Sequence, residues 1–339
     1  VSIACDIVPI VGENRILAHH GLQKLNTSPR PGLQALMDIG NVTPPVSISR
    51  LVFSVGPRIN AAGRMEHAKL AVQLLLATDP HEAASLAQQL NQKNTHRRDV
   101  DSTTTEEALN MVKASPRLQE AKTTVLFKED WHKGVVGIVA SRCIERYYRP
   151  TVILTASKGK ATGSARSVVG YNVYEALCAC EELLDQYGGH AYAAGLTLPL
   201  EQVSAFQQRF EEVVARTITP ELLLPPQEID LPLAFEQIDT KFYNVLRQMA
   251  PFGTGNMRAV FATTPVVAQS YSILKEQHLK LYVYQPGTAQ VLEAVGFGLA
   301  HRAPLVHAQQ PFRMVYTIEE NNYLGQRRLQ LNIKDLQSL

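Results

Sequence analysis

Two short stretches of this chain carry groups that can hold a phosphate. Gly163-Ser164-Ala165-Arg166-Ser167 joins small residues to a hydroxyl and a guanidinium, and Gly188-Gly189-His190-Ala191-Tyr192-Ala193-Ala194-Gly195 joins bare backbone to an imidazole. Small residues let backbone N–H groups come close to an anion. Arg166 adds a planar fork that matches phosphate oxygens. Ser164, Gly188, Gly189 and His190 complete this candidate set. Between the stretches, Val173, Leu177, Cys180, Leu184 and Tyr187 recur at helical spacing. The predicted order is strand, Gly/Ser/Arg turn, helix, then a glycine-rich His loop. The same residues also read as a helix with glycine caps, a surface arginine and a core histidine. A third stretch runs from Gly56 to Arg64. Pro57, Ala61, Ala62 and Gly63 predict a tight loop there, from which Arg58, Asn60 and Arg64 project. Such a loop suits phosphate and sugar contacts, or arginines paired with nearby acids.

GSARS followed by GGHAYAAG resembles the DHHA1 domain of the DHH phosphoesterase superfamily. Within it, the resemblance is closest to the RecJ family of bacterial 5′-to-3′ exonucleases of single-stranded DNA. Further motifs stand in the expected order. They are Asp6-Ile7-Val8-Pro9 with Glu13-Asn14-Arg15, then Gly56 to Arg64, then Trp131 to Arg142, and Pro251-Phe252-Gly253-Thr254-Gly255-Asn256. The resemblance covers nearly the whole chain.

That resemblance implies an enzyme of DNA repair and recombination that hydrolyses single-stranded DNA from its 5′ end. A metal-bound water attacks the phosphodiester, and two divalent ions, Mn²⁺ or Mg²⁺, stabilise the attacking and leaving oxygens. Asp6 is implied as a metal ligand, with the remaining ligands, including an Asp-His-His signature, expected upstream of Val1. His19-His20 is not that signature, because Ala18 precedes it and it follows the Asp6 motif. Ser164 and Arg166 are implied to hold the terminal phosphate and set polarity. Arg58, Asn60, Arg64 and a catalytic His190 are implied to meet the substrate near the metals. The implied partners are single-stranded DNA with a 5′ end, a single-strand-binding protein and a helicase. The expected state is a monomer in the bacterial cytoplasm. Two other readings stay open: a DHHA1-type phosphodiesterase of oligoribonucleotides or cyclic dinucleotides, and a non-catalytic single-stranded DNA-binding module. With one metal carboxylate, the chain alone is expected to lack nuclease activity.

Composition narrows the field. A net charge of +2 over 339 residues means that nucleic-acid binding must use local basic patches. No apolar run approaches the ~20 residues of a membrane span, and no signal peptide is read at the start. A first residue of Val1, entering an apolar run, suggests a fragment. The four cysteines, Cys5, Cys143, Cys178 and Cys180, lack zinc spacing and read as reduced core residues.

The elements that must position these groups follow from pattern. Residues 1–65 read as the C-terminal part of a DHH catalytic domain, with a strand over Ser2 to Ile10 and helices over Asn14 to Leu25 and Gly32 to Gly40. Residues 66–115 read as a connecting long helix, opened by Asp79-Pro80-His81-Glu82 as cap and first turn. Its polar middle, Asn91 to Glu107, predicts a bridge through solvent between two bodies. On it, His96-Arg97-Arg98 reads as a solvated charge run or a DNA contact. Residues 116–222 read as an α/β DHHA1 domain with Trp131 in its core. After Pro225-Pro226 the pattern turns to strands, and residues 223–339 read as an all-β OB-like barrel. There, Lys280, Tyr282, Arg327 and Arg328 suit a single-stranded nucleic-acid groove, or an ordinary alternation of core aromatics with solvated cations. Tyr323 belongs to the same pattern, in a hairpin loop at Asn321 to Gly325.

Overall fold

The computed structural model describes residues 1–65, 67–307, 310–323 and 326–339. The expected hairpin loop falls partly on Leu324 and Gly325, and these, with the Tyr323 side chain, lie outside the described residues. The helices that matter begin with α1 (Gly12–Thr27), α2 (Pro31–Ile39), α3 (Gly56–Met65), α4 (Lys69–Leu76) and α5 (Pro80–Ala114). Then come β1 (Thr124–Phe127), α6 (Val136–Arg146), β2 (Thr151–Ser157), β3 (Lys160–Arg166), α7 (Val173–Cys178), β4 (Gln186–His190), β5 (Ala193–Pro199) and α8 (Val203–Thr217). The remainder is β6 (Leu231–Pro232), α9 (Thr240–Arg247), β7 (Phe261–Leu274), β8 (His278–Tyr284), β9 (Val291–Gly296), β10 (Phe312–Tyr323) and β11 (Gln326–Ser338). The expected mixed α/β part followed by an all-β barrel is what forms.

The chain makes two compact units. One comprises Val1–Thr27, Pro45–Val52 and Gln227–Leu339, and the other Ser28–Pro44 and Phe53–Pro226. The first 65 residues therefore contribute to both.

In the second unit, a five-stranded sheet runs β1-β2-β3-β5-β4. β1 and β2 are parallel and joined by the α6 crossover, while the other pairs are antiparallel. One face is covered by α8 through fully buried Phe206 and Phe210. Part of the other face is covered by α6, whose Val136, Val139, Ala140 and Cys143 meet Ile153 and Leu126. Trp131 lies in this same core, as expected, with its indole N–H donating to Glu107 Oε2 at 2.8 Å.

The long helix α5 opens as predicted, with Asp79 accepting from the Glu82 N–H at 2.8 Å. Its middle is solvated on one face only. Buried residues recur as Ala83, Ala87, Leu90, Asn94, Asp101, Thr104, Ala108 and Val112 at helical spacing, with half-buried Arg97 between Asn94 and Asp101. Asn94 is 4% exposed and Asp101 0%. The helix packs on α2, α3, α4 and α6, so one side of its polar stretch faces protein. Sequence polarity indicates water because solvent is the usual partner of a polar face, and here the partner is a set of arginines.

Two other expectations are corrected. Ser2 to Ile10 is no strand but a one-turn helix, Ser2–Cys5, followed by irregular chain. A short apolar run is ambiguous between the two, and among the described residues no strand lies beside it. Gly56 to Arg64 is no loop but helix α3. Pro57 sits in the first turn, where its missing N–H costs nothing.

The first unit holds the barrel. Its sheet runs β10-β11-β9-β8-β7-β6 and closes through a β10–β7 pairing. Phe235, Phe261, Phe312, Met314 and Tyr316 fill it. Burial pushes the Tyr316 phenol up to about 12, and its hydroxyl shares a 2.8 Å hydrogen bond with Thr263. The Asp6 and Pro251 motifs meet within this unit. Ile10 N–H donates to Thr254 O at 2.6 Å, and a Cβ at Gly253 would stand 2.6 Å from Ile10. Arg15 Nη2 donates to the carbonyls of Gln248, Met249 and Ala250 just past α9, at 3.1–3.3 Å. A cation at a helix C-terminus is favourable to both carbonyls and dipole.

The packed middle of α5 predicts that limited proteolysis leaves residues 91–107 intact while the exposed Pro225-Pro226 segment is cut. Mass spectrometry showing early cleavage between Asn94 and Thr105 would contradict the packing described.

Candidate functional site: a bare sheet face beside Arg166

Register builds the site. Ser164 pairs with Gly195, which pairs with Gly188. Two residues along, Arg166 pairs with Ala193 and Ala193 with His190. In the other direction, Thr162 pairs with Thr197 and Thr197 with Gln186. A period of two places all of these on one face of the sheet. Their neighbours Ala161, Ala165, Ala194, Leu196 and Leu198 point the other way and are buried. Gly188 and Gly195 are exposed, and a Cβ at Gly188 would meet nothing within 4 Å. The glycines therefore leave a strip of backbone open to a ligand, rimmed by a serine, an arginine and a histidine.

The local structure differs from the predicted turn-helix-loop. GSARS is the body and end of β3, and GGH is strand β4, turned into β5 by Ala191-Tyr192. The helix between them stops at Cys178. Helical spacing over Val173 to Tyr187 misleads because Tyr187 belongs to a strand that begins at Gln186. The backbone itself demands glycine at Gly163, where a Cβ would stand 2.1 Å from Ile153 O, and at Gly189. The φ of Gly189 is +153°, and a Cβ there would stand 2.3 Å from Ala193 O.

Arg166 is held in place. Its Nη1 donates to Ser164 Oγ at 2.6 Å and to Ala165 O at 2.8 Å. Among the described residues, Nε and Nη2 have no hydrogen-bond partner. Gly137, in the first turn of α6, makes room for the guanidinium, since a Cβ there would lie 2.8 Å from Nη2 and 3.2 Å from Ser164 Oγ. Burial lowers the Arg166 pKa, and the positive charge of Arg64 lowers it further. Both effects favour an anion beside it. Sequence reading gives Gly137 no role of its own; a glycine in the first turn of an amphipathic helix is its only trace.

The GPRINAAGR residues divide. Arg58 is committed internally: Nε donates to Asn91 Oδ1 at 2.9 Å, Nη1 to Ser54 O and Nη2 to Ile39 O at 3.5 Å. It ties α3 to α5 and to the end of α2, with three of its five donors given to protein. Asn60 is half-buried and partnered. Arg64 is exposed at the end of α3, and a Cβ at Gly134 would stand 2.1 Å from its carbonyl oxygen. That close approach brings Arg64 to the start of α6, near Arg166. His190 is exposed, and its Nδ1 accepts from the Tyr192 N–H at 3.3 Å.

The four barrel residues named from sequence are engaged to different degrees. Lys280 Nζ lies 3.2 Å from Glu293 Oε1, and Tyr282 donates to Glu293 Oε2 at 3.2 Å. Register opposes Tyr282 to Glu293, so the acid sits beside Lys280 and neutralises it. Arg327 lies 3.8 Å from Glu320, and Arg328 donates to Gln326. Asp6 is exposed at the end of its one-turn helix. Among the described residues no three His, Cys, Asp or Glu side chains are grouped to hold a metal.

Residues 120–216 match the DHHA1 domain family, and residues 229–335 match the RecJ OB domain family. The chain is 34% identical over 340 residues to the single-stranded-DNA-specific exonuclease RecJ of Bacillus subtilis, covering 99% of this chain and 43% of that protein. It is 32% identical to the Escherichia coli protein of the same name, covering 99% of this chain and 60% of that one. Among solved structures, RecJ of Thermus thermophilus in complex with Mn²⁺ superposes with a TM-score of 0.85 at 28% identity, covering 99% of this chain and 48% of that one. Its complex with Mg²⁺ gives a TM-score of 0.83 at 27% identity, covering 99% and 51%. The chain thus spans about half the length of the relatives it matches.

Two glycine substitutions separate the site from the fold. Gly137→Ala meets the movable end of Arg166, so the melting temperature should change little while affinity for a 5′-phosphorylated oligonucleotide falls about fivefold, roughly 1 kcal/mol of a charged hydrogen bond. Gly189→Ala meets backbone and should lower the melting temperature instead. Unchanged oligonucleotide affinity in Gly137→Ala, measured by fluorescence anisotropy, would remove the packing role given to Gly137.

Proposed function

The chain belongs to the RecJ family by its DHHA1 and RecJ OB domains, and from that premise we propose that the whole protein degrades single-stranded DNA from its 5′ end by metal-dependent phosphodiester hydrolysis. The observation that carries the proposal is the pinned Arg166–Ser164 pair beside the open glycine strip. Arg166 offers Nε and Nη2 to a terminal phosphate, and the Ser164 hydroxyl, which accepts from Nη1, can turn its own proton to a phosphate oxygen. The bare strip at Gly188 and Gly195 lets the first nucleotide lie against backbone, where a side chain would hold it off. His190, at the rim, is placed to meet the same nucleotide. A terminal phosphate presents an oxygen and a charge that an internal phosphodiester lacks, so a fixed fork at this place selects an end.

The family's metals, Mn²⁺ or Mg²⁺, supply electrostatic stabilisation and an activated water when bound. Within this chain, Asp6 is the residue proposed to give one carboxylate oxygen. The described residues add no further ligand group around it, so they do not themselves constitute the metal centre, and no hydrolytic step is assigned to them. The barrel favours this function over dinucleotide hydrolysis, because residues 229–335 match a domain named for RecJ. Action in DNA repair and recombination, in the cytoplasm and beside a single-strand-binding protein and a helicase, belongs to the same proposal.

Truncation of Arg166 tests it. Arg166→Ala should weaken binding of 5′-phosphorylated single-stranded DNA by roughly ten- to a hundredfold, the value of a charged hydrogen bond of about 1.5–3 kcal/mol. The 5′-hydroxyl substrate should lose less, since it lacks the group. Arg166→Lys should restore part of the difference, keeping charge without the fork. An equal loss on both substrates would make Arg166 a general backbone contact and sink the end-recognition assignment.

A further inference from the structure

The buried stripe of α5 turns polar where it meets a cluster of arginines. Asp101, with no exposed surface, accepts at Oδ2 from Arg142 of α6 at 2.9 Å and from Arg97 at 3.3 Å. Arg97 also donates to Asn94 Oδ1 at 2.8 Å, so its guanidinium is fixed from two sides. Among the described residues, Asp101 is the carboxylate that pairs with these arginines. Its other oxygen, Oδ1, is buried and has no hydrogen-bond partner among them.

The charges around it are unbalanced. Arg97 feels Arg64, Arg142 and Arg98 as neighbouring positive charges, and Arg64 in turn acts on Arg166. Arg64 therefore links the Arg166 site to the α5 group. Arg64, Arg98 and Arg142 are exposed, while the Arg97 side chain is only 11% exposed. The fold holds like charges together, with one internal carboxylate between them. Such an arrangement is a standing attraction for an anion from outside.

We propose that Asp101 is a positioning residue that fixes Arg97 and Arg142 as a second anion subsite, continuous through Arg64 with the Arg166 site. Its ligands are internal phosphodiester groups of the same single strand whose terminal phosphate Arg166 holds. The inference rests on the single-strand reading above and adds to it the residues that carry the strand away from its end.

A buried carboxylate among arginines can act in two ways, and they differ in sign. If Asp101 only neutralises, its removal adds positive charge, and DNA binds more tightly. If it positions, its removal frees Arg97 and Arg142 to point elsewhere, and DNA binds less tightly despite the added charge. The experiment is a salt titration of oligodeoxythymidine binding by the full chain, comparing wild type, Asp101→Asn, Arg142→Gln and Arg166→Ala, each with 5′-phosphate and 5′-hydroxyl strands. Asp101→Asn should bind about tenfold more weakly, and the slope of log affinity against log salt should shrink by about 0.7 for each phosphate that is no longer neutralised. Arg142→Gln, at a half-exposed side chain whose amide can still donate to Asp101, should lower the slope by one such step. Both should keep the preference for a 5′-phosphate, which only Arg166→Ala removes. A general loss of folding would not produce that separation.

Should Asp101→Asn fail to fold, Arg142→Gln decides alone. Tighter or unchanged binding with an unaltered slope, in Asp101→Asn or in Arg142→Gln, overturns the inference and leaves the proposed function standing. A wild-type chain that binds no single strand overturns both.

Discussion

The start of α6 is wedged where side chains would not fit. A Cβ at Gly134 would stand 2.1 Å from the Arg64 carbonyl, and one at Gly137 would stand 2.8 Å from Arg166 Nη2. Two glycines, three residues apart, thus let the end of α3, the first turn of α6 and strand β3 come together. Everything at the candidate site follows from that approach. Arg64 arrives beside Arg166 because α3 ends against the α6 entry. Arg166 stands over the sheet because Gly137 leaves space for it. Val136, Val139 and Ala140 of the same helix meanwhile bury the adjoining sheet surface. At Gly134 the added atom would meet backbone, so the packing requires glycine there, whereas at Gly137 it would meet the end of a side chain and displace the guanidinium instead.

Electrostatics is the second constraint. The unit holding the sheet gathers Arg58, Arg64, Arg97, Arg98, Arg142 and Arg166 within mutual influence. Two are dealt with internally in different ways: Arg58 gives its donors to carbonyls and an asparagine, and Arg97 is paired to Asp101 and Asn94. The chain's net charge of +2 conceals this concentration. A buried ion pair adds little to stability by itself, because desolvation offsets much of the attraction. What such a pair supplies is a fixed orientation of its charges.

The barrel shows the contrary treatment of cations. Glu293 alone engages Lys280, Tyr282 and Gln330, and Arg327 has Glu320 close by. Its basic and aromatic side chains are thereby tied into cross-strand pairs. In the DHHA1-bearing unit, by contrast, Arg64, Arg98 and Arg166 have no ion pair among the described residues.

How much of this is legible in the sequence depends on range. Local signals read correctly: Asp79 as the cap of α5, Trp131 as a core residue, and the change to β structure after Pro225-Pro226. The motifs around Arg166 and His190 also point to the family, since their residue types and order survive without coordinates. What fails is whatever depends on a distant partner. GPRINAAGR looks like a loop by composition and is a helix because the chain packs it on α5. GGH looks like a loop and is a strand because β5 pairs with it. The polar middle of α5 looks solvated all round and has one buried face, where α6 delivers Arg142 to Asp101. Lys280 looks free and is neutralised because register sets Glu293 within its reach. Residue types, caps and periodicity act within a few positions along the chain and are readable without coordinates. Which polar groups find each other is settled by packing, because hydrogen bonds and ion pairs depend on through-space distance, and that distance does not exist until the elements pack.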